Sequence, residues 1–156
     1  MLFGVIGGDR RQAELLKLLR QDGYQAAAYG TAGEMDWERA VSAEVVVLPL
    51  PLCREGDTIN IEGEQRGIGA LLRQMRRNQL LLAGQVKPAQ AAEAAELDLN
   101  LIDYFKREEL TVANAAATAE GTVQVILERL ERSLLGSRCL VLGFGRIGKL
   151  LCHRLS

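Results

Sequence analysis

The sequence predicts an α/β protein built on a doubly wound, Rossmann-like parallel sheet. Apolar strand-like runs alternate with segments of helical periodicity, and short glycine turns join them. The run Glu44-Val-Val-Val-Leu48 is β-branched without polar alternation, as a strand covered by helices on both faces requires.

Residues 2–6, Leu-Phe-Gly-Val-Ile, form the first strand, closed by Gly7-Gly8-Asp9. Ala13, Leu15, Leu16, Leu18 and Leu19 then share one helical face, with Asp9 placed as N-cap and Gly23 as terminator. Residues 24–29 are a second strand, followed by Gly30, Gly33 and a short helix around 35–40. Pro49 and Pro51 stop the strand at 44–48. Residues 52–66 are polar and glycine-bearing, with one β-like piece at 58–61, and exceed most connections in length. They are either a hairpin or lid over a site or a solvated insertion.

Ile68, Leu71, Leu72 and Met75 mark one face of a helix whose other face bears Arg73, Arg76 and Arg77. Those arginines are a wet surface or a docking face. Residues 79–83 are a fourth strand, 84–87 a turn, Pro88 opens an alanine-rich helix, and 98–102 are a fifth strand. Val123, Ile126, Leu127, Leu130 and Leu134 stripe a helix over 118–135, about 27 Å long, with Thr118 as its N-cap and Gly136 at its end. Residues 138–142 begin a new strand, 143–148 a glycine turn, and Ile147, Leu150, Leu151 and Leu155 another helix. Phe3-Gly-Val-Ile-Gly-Gly and Leu140-Val-Leu-Gly-Phe-Gly echo one another as strand-turn openings. The expected organisation is a domain over 1–117, an interdomain helix over 118–135, and the first βα unit of a second Rossmann domain over 136–156.

With 156 residues, of which 48% are hydrophobic, the chain can bury a core. Nineteen Lys and Arg against twenty Asp and Glu leave a net charge of −1, without the basic excess of a nucleic-acid binder. No apolar run approaches the roughly 20 residues of a membrane span, so a cytoplasmic protein is expected. Cys53, Cys139 and Cys152 are odd in number and lack metal-ligand spacing, which suits reduced thiols. His153 is the sole histidine, so neither a serine-histidine triad chemistry nor a histidine-rich metal site is expected.

Gly143-Phe144-Gly145-Arg146-Ile147-Gly148 is G-x-G-x-x-G after an apolar strand and before a helix. The first glycine permits the tight turn, the second admits a pyrophosphate, and the third allows helix and strand to approach. The alternative is a turn used for packing alone. The acidic residue that would separate NAD from NADP falls about 20 residues on, beyond 156. Gly7-Gly8-Asp9-Arg10-Arg11 lacks that spacing, yet free helix amides and Arg10 at a strand's carboxyl end suit a small carboxylate. A plain N-cap with two exposed arginines is the other reading. Lys87 also follows a strand, where open α/β sheets bind ligands or where a lysine is simply solvated. In Asn114-Ala-Ala-Ala-Thr118-Ala-Glu120-Gly121-Thr122, Asn114 and Glu120 either face a cleft or belong to a capped helix entry.

The opening Val5-Ile-Gly-Gly-Asp-Arg-Arg-Gln12, the stretch Asp103-Tyr-Phe-Lys-Arg-Glu-Glu109, Asn114 through Thr122, and Gly136 through Gly148 together resemble the A subunits of dipicolinate synthases. The Gly-x-Gly-Arg-Ile-Gly segment alone is shared with many D-2-hydroxyacid dehydrogenases. The resemblance implies a flavodoxin-like N-terminal domain followed by an NAD(P)-binding Rossmann domain in a protein about twice as long. It implies oxidation of a dihydrodipicolinate-type precursor to dipicolinate in a sporulating bacterial cell, with the flavoprotein-like B subunit of dipicolinate synthase as partner and a homo-oligomeric assembly. It places NAD or NADP at Gly143, Phe144, Gly145, Arg146, Ile147 and Gly148, held by the complete protein, the present chain alone being inactive. Asp9, Arg10, Lys87, Asn114 and Glu120 are candidates for the substrate site, and no catalytic residue is assigned. The remaining alternatives are a relative acting on a 2-hydroxy acid and a non-catalytic docking or dimerisation module.

Overall fold

A computed structural model describes residues 1–156 and divides them into two compact units, Met1–Lys106 and Arg107–Ser156. The first unit contains β1 (Leu2–Ile6), α1 (Arg10–Gln21), β2 (Gln25–Thr31), β3 (Glu34–Met35), α2 (Trp37–Ser42), β4 (Val45–Val47), α3 (Ile68–Leu72), β5 (Leu80–Ala83), α4 (Pro88–Glu96), β6 (Asn100–Asp103) and a 3-10 turn, Tyr104–Lys106. Its sheet runs β3-β2-β1-β4-β5-β6, parallel throughout except for the two-residue β3. Counting the parallel strands alone, the order is that of a flavodoxin-like sheet, as expected.

Alternation within the strands gives the sheet two cores. Val5, Ala26 and Ala28 pack with Leu16 of α1 on one face. Ile6, Ala27, Tyr29, Val46 and Leu81 pack with residues of α2, α3 and α4 on the other. Gly4 is required where α2 crosses β1, because a Cβ there would stand 1.9 Å from the Ala40 carbonyl oxygen. Gln79, buried just before β5, ties the layers together: its Nε2 donates to the Val41 and Ala43 carbonyls at 2.7 and 2.6 Å. The helix expected to include Arg73–Arg77 stops earlier, with Arg73 as the C-cap of α3.

The second unit contains α5 (Glu108–Arg129) and α6 (Arg146–Leu155). The expected helix over 118–135 is displaced: α5 begins ten residues sooner, where Glu108 and Glu109 complement the positive end of its dipole. Thr118 is therefore no N-cap. It lies within the helix, its Oγ1 donating back to the Asn114 carbonyl at 2.7 Å, as mid-helix threonines do. The two compact units accordingly divide at 106/107, ahead of the expected 117/118.

Residues 138–142 do not form the expected strand, because no segment of the chain pairs with them. Leu140 and Leu142 remain 85% and 88% exposed. Glu108 pairs with Arg146 and Glu120 with Arg154, so α5 and α6 lie side by side in the same sense.

Candidate functional site

In the first unit the connections reverse direction on either side of β1, placing the topological switch between β1 and β4. In doubly wound sheets the crevice beyond the carboxyl ends of those strands is the ligand position. Much of it is closed by the chain itself. Leu52, Ile59, Asn60 and Ile61 of the 52–66 loop are buried. The Asn60 carbonyl accepts from the Gly8 amide at 2.7 Å, and Ile61 abuts the positions that side chains at Gly7 and Gly30 would occupy. The loop is thus a packed cover over β1 and β2, and not a solvated insertion.

A polar cluster fastens its far end. Arg66 stacks 3.9 Å over the ring of Trp37 and also bonds Glu64 at 3.3 Å. Glu64 in turn accepts the Tyr29 hydroxyl, a contact that is the main reason this phenol's pKa is raised.

The amides of Gly7, Gly8, Asp9 and Arg11 after β1 are not free, contrary to expectation. Gly7 donates to the Tyr29 carbonyl and Gly8 to that of Asn60. The Asp9 amide donates to Gln12 Oε1 at 3.2 Å, and the Arg11 amide to Asp9 Oδ1 at 2.9 Å. This capping box makes Asp9 the N-cap of α1, as its position suggested. The Asp9 carboxylate also takes Arg11 Nε and Nη2 at 3.0 and 2.8 Å, and these bonds hold its pKa below the ordinary value. Arg11 Nη2 further donates to the Leu50 carbonyl at 2.7 Å, pinning the segment after β4. Arg10 is exposed and makes no hydrogen bond or ion pair.

Across the same edge, Tyr104 donates its hydroxyl to the Leu48 carbonyl at 3.1 Å and packs over Gly84. Burial pushes its phenol up to about 12, against the pull of Arg11. Lys87 lies in the turn after β5, where its Nζ donates to the Gly56 carbonyl. That turn is shaped by Asp103, whose carboxylate accepts the amides of Gln85, Val86 and Phe105 at 3.1, 3.1 and 3.0 Å. Gln85 is thereby held at φ 59°, a left-handed conformation uncommon outside glycine. Asp9, Arg10 and Lys87 thus share the carboxyl edge of one sheet.

In the second unit, Gly143 adopts φ 101° and Gly145 is the N-cap of α6 with no side-chain cap bond. A Cβ on Gly148 would lie 2.0 Å from the Gly143 carbonyl oxygen, whereas one on Gly145 would meet nothing within 4 Å. These are the separate demands of the third and second glycines of a pyrophosphate turn, and the residues present fit that group. Phe144 is exposed, and Lys149 Nζ lies 5.7 Å from its ring centre. Arg146 is committed to Glu108 through its Nε at 3.0 Å. Ile147 is part of α6. Asn114 and Glu120 both lie on α5, six positions apart and therefore about 120° apart around the helix. Glu120 bonds Arg154 at 2.8 Å, while the Asn114 side chain is exposed.

Residues 2–105 match the family model for the N-terminal domain of the dipicolinate synthase A subunit. The chain belongs to that family. The A subunit of dipicolinate synthase from Bacillus subtilis (strain 168) is 24% identical over 163 residues, covering 94% of this chain and 54% of the relative. The present chain therefore spans about half the length of the curated relative it matches. The crystal structure of the dipicolinate synthase A chain from Bacillus subtilis superposes with a TM-score of 0.72, and that of the Bacillus halodurans A subunit with 0.75. Both are 19% identical, and the match covers 99% of this chain and 57% of each.

Arg11, Asp103 and Tyr104 are site-edge residues that the sequence pattern of this family member does not single out. Asp103 and Tyr104 were legible in principle, because Asp103 ends the fifth parallel strand and Tyr104 directly follows it at its carboxyl end. Arg11 had no such signal: it differs from Arg10 by one helical step, about 100°, and that step decides which guanidinium meets Asp9.

Proposed function

We propose that this chain is the amino-terminal part of a dipicolinate synthase A subunit, with a role in the NAD(P)-dependent oxidation of a dihydrodipicolinate-type precursor to dipicolinate. The observation that supports it is the family match over nearly the whole first unit, joined to a second unit whose glycine turn has pyrophosphate-turn geometry. Gly143, Phe144, Gly145, Arg146, Ile147 and Gly148 would hold the pyrophosphate of NAD or NADP in the complete protein. When bound, the nicotinamide supplies an acceptor for the hydride that the dihydropyridine ring loses, with a proton, on becoming aromatic.

The chain's own residues bind and orient. Arg10, exposed and unpaired, attracts a substrate carboxylate, and Lys87 adds a second positive group on the same sheet edge. Asp9 fixes the first turn of α1 and holds Arg11 against the segment after β4. Asn114 and Glu120 are further candidates for contact in the complete protein. A flavoprotein-like B subunit of the synthase, a sporulating bacterial cell and a homo-oligomeric state complete the reading.

The docking alternative rests on Arg73, Arg76 and Arg77. Each is engaged within the chain: Arg73 with Glu93 at 2.9 Å, Arg76 with the Ser42 carbonyl, and Arg77 with Asp98 at 3.4 Å. That face offers little unspent charge to a partner.

The test is an assay of the full-length protein with its partner protein, following dipicolinate and reduced nicotinamide together. Equal amounts of both products are expected. Dipicolinate without cofactor reduction would overturn the cofactor role, and neither product would overturn the function.

A further inference from the structure

We propose that Glu108 is a positioning residue for the diphosphate of the dinucleotide, acting through Arg146, the arginine inside the glycine turn of the second unit. The inference rests on the cofactor role proposed above and names what orients the one cation of that turn.

Arg146 is the only charged residue between Gly143 and Gly148, and it is the first residue of α6. A guanidinium on so long a side chain samples many rotamers unless a partner holds it. Glu108 is that partner. Its Oε1 accepts Arg146 Nε at 3.0 Å and its Oε2 accepts Nη2 at 2.5 Å, a two-point fork that fixes the plane of the guanidinium as well as its place. The group is thereby held by one edge, and Nη1, which makes no hydrogen bond within the chain, keeps its donors for an anion. The fork joins residues 38 positions apart, so it is a contact between two helices and not a pairing along one helix surface.

Glu108 is itself well placed to do this. It is the first residue of α5, where the helix dipole favours an acid, and its neighbour Glu109 pairs with Arg107 at 3.6 Å instead. The two helices pack together, with the small residues Ala115 and Ala119 of α5 and Gly148 of α6 buried, and Glu120 meets Arg154 at 2.8 Å farther along. The Glu108 and Arg146 side chains are 67% and 55% exposed, and exposed ion pairs contribute little to folding. The consequence of the pair is therefore where it puts the guanidinium. Arg146 holds the Glu108 carboxyl below its ordinary value, so both partners are charged at neutral pH. A guanidinium oriented beforehand loses less freedom when a diphosphate arrives, and the first turn of α6, uncapped by any side chain, offers its amides to the same anion.

The probes are adenosine diphosphate and adenosine, titrated calorimetrically into the full-length protein. Arg146→Gln should weaken the diphosphate about tenfold, the loss of one charge-assisted contact, and leave adenosine unchanged. Glu108→Gln should weaken the diphosphate about three- to fivefold, again without touching adenosine, and Glu108→Asp should recover part of that loss. In the Arg146→Gln background, Glu108→Gln should cost nothing more, because it acts through that side chain. Glu120→Gln breaks the other ion pair between α5 and α6 and should leave both probes unchanged, which separates positioning from a general loosening of the helix pair. Circular dichroism of each variant checks that it folds. Diphosphate binding that Glu108→Gln leaves unchanged or tightens overturns the positioning role. An equal loss of adenosine, or a loss matched by Glu120→Gln, overturns it too. In each of these cases the wild type still binds the diphosphate, and the proposed cofactor role stands. A wild type that binds no diphosphate overturns both.

Discussion

Asp103→Ala removes the acceptor that shapes the Lys87 turn, and its cost can be worked from three contacts. The carboxylate takes the amides of Gln85, Val86 and Phe105 at 3.1, 3.1 and 3.0 Å. Hydrogen bonds to charged groups contribute about 1.5–3 kcal/mol each. Here the Gln85 contact is exposed and the other two half-buried, so water replaces part of each bond and roughly 1 kcal/mol apiece is the reasonable figure. The left-handed strain of Gln85 is present in wild type and variant alike and adds nothing to the difference. The three contacts sum to about 3 kcal/mol, a large share of the roughly 5–15 kcal/mol that holds a domain folded. At about 4–8 °C per kcal/mol for a unit of this size, melting falls by well over 10 °C. Urea unfolding followed by circular dichroism gives the free energy directly. Asp103→Asn, which keeps one acceptor oxygen, should lose about half as much. Gln85→Gly should stabilise the wild type by about 0.5 kcal/mol, since relief of the left-handed cost exceeds the entropy glycine adds. An Asp103→Ala variant within about 0.5 kcal/mol of wild type would refute the view that this carboxylate builds the turn.

Two further outcomes follow from titration. The Tyr104 phenol is pushed up to about 12, so between pH 10 and 12 the unfolded chain loses this proton and the folded one keeps it. Stability should fall through that window, and Tyr104→Phe should fall less steeply; parallel alkaline profiles for the two proteins would rule out the buried phenol as the source. Asp9 behaves oppositely: Arg11 holds its carboxyl below the ordinary value of 3.8, so its contribution is present above that pH and is lost as pH falls through the lower folded value. Asp9→Asn, which keeps an N-cap oxygen but not the ion pair, should flatten the acid arm of the urea-stability profile, and an unchanged acid arm would count against the pairing.

The parallel strands of the first unit were legible as short apolar runs alternating with helices, whereas their order came only with the family resemblance and the two-residue β3 carries no such run. The 52–66 loop was not, because its polar composition suits water equally well. What decides its position is a long-range fit, Ile61 against Gly7 and Gly30 and Asn60 against Gly8, which no local period records. The start of α5 was hidden for a different reason. Asn114, Thr118 and Glu120 look like capping residues, but the two acids at 108 and 109 provide the dipole complement earlier, and the alanines between them continue the helix without cost. Residues 138–142 have a strand's sequence and no neighbour. Propensity selects an extended backbone, whereas a strand also needs a ladder partner, and that is a property of the rest of the sheet.

The two glycine turns that echo one another in sequence diverge at a single position with a large electrostatic consequence. In the first, the residue entering the helix is Asp9, whose carboxylate bonds the Arg11 amide and sits where a bound phosphate would have to lie. Its charge would repel that phosphate, and the neighbouring glycine amide is already given to Asn60. In the second, the residue entering the helix is Gly145, with no side chain and open space where a Cβ would be, so the first turn of α6 carries its dipole uncapped by any side chain. Segments alike in sequence thus end differently: one spends its helix terminus on its own carboxylate and leaves Arg10 exposed beside it, and the other leaves its terminus without a side-chain cap. An acidic N-cap after the first strand is therefore a physical reason why an anion brought to the first unit would meet arginine side chains, whereas one brought to the start of α6 would meet backbone amides.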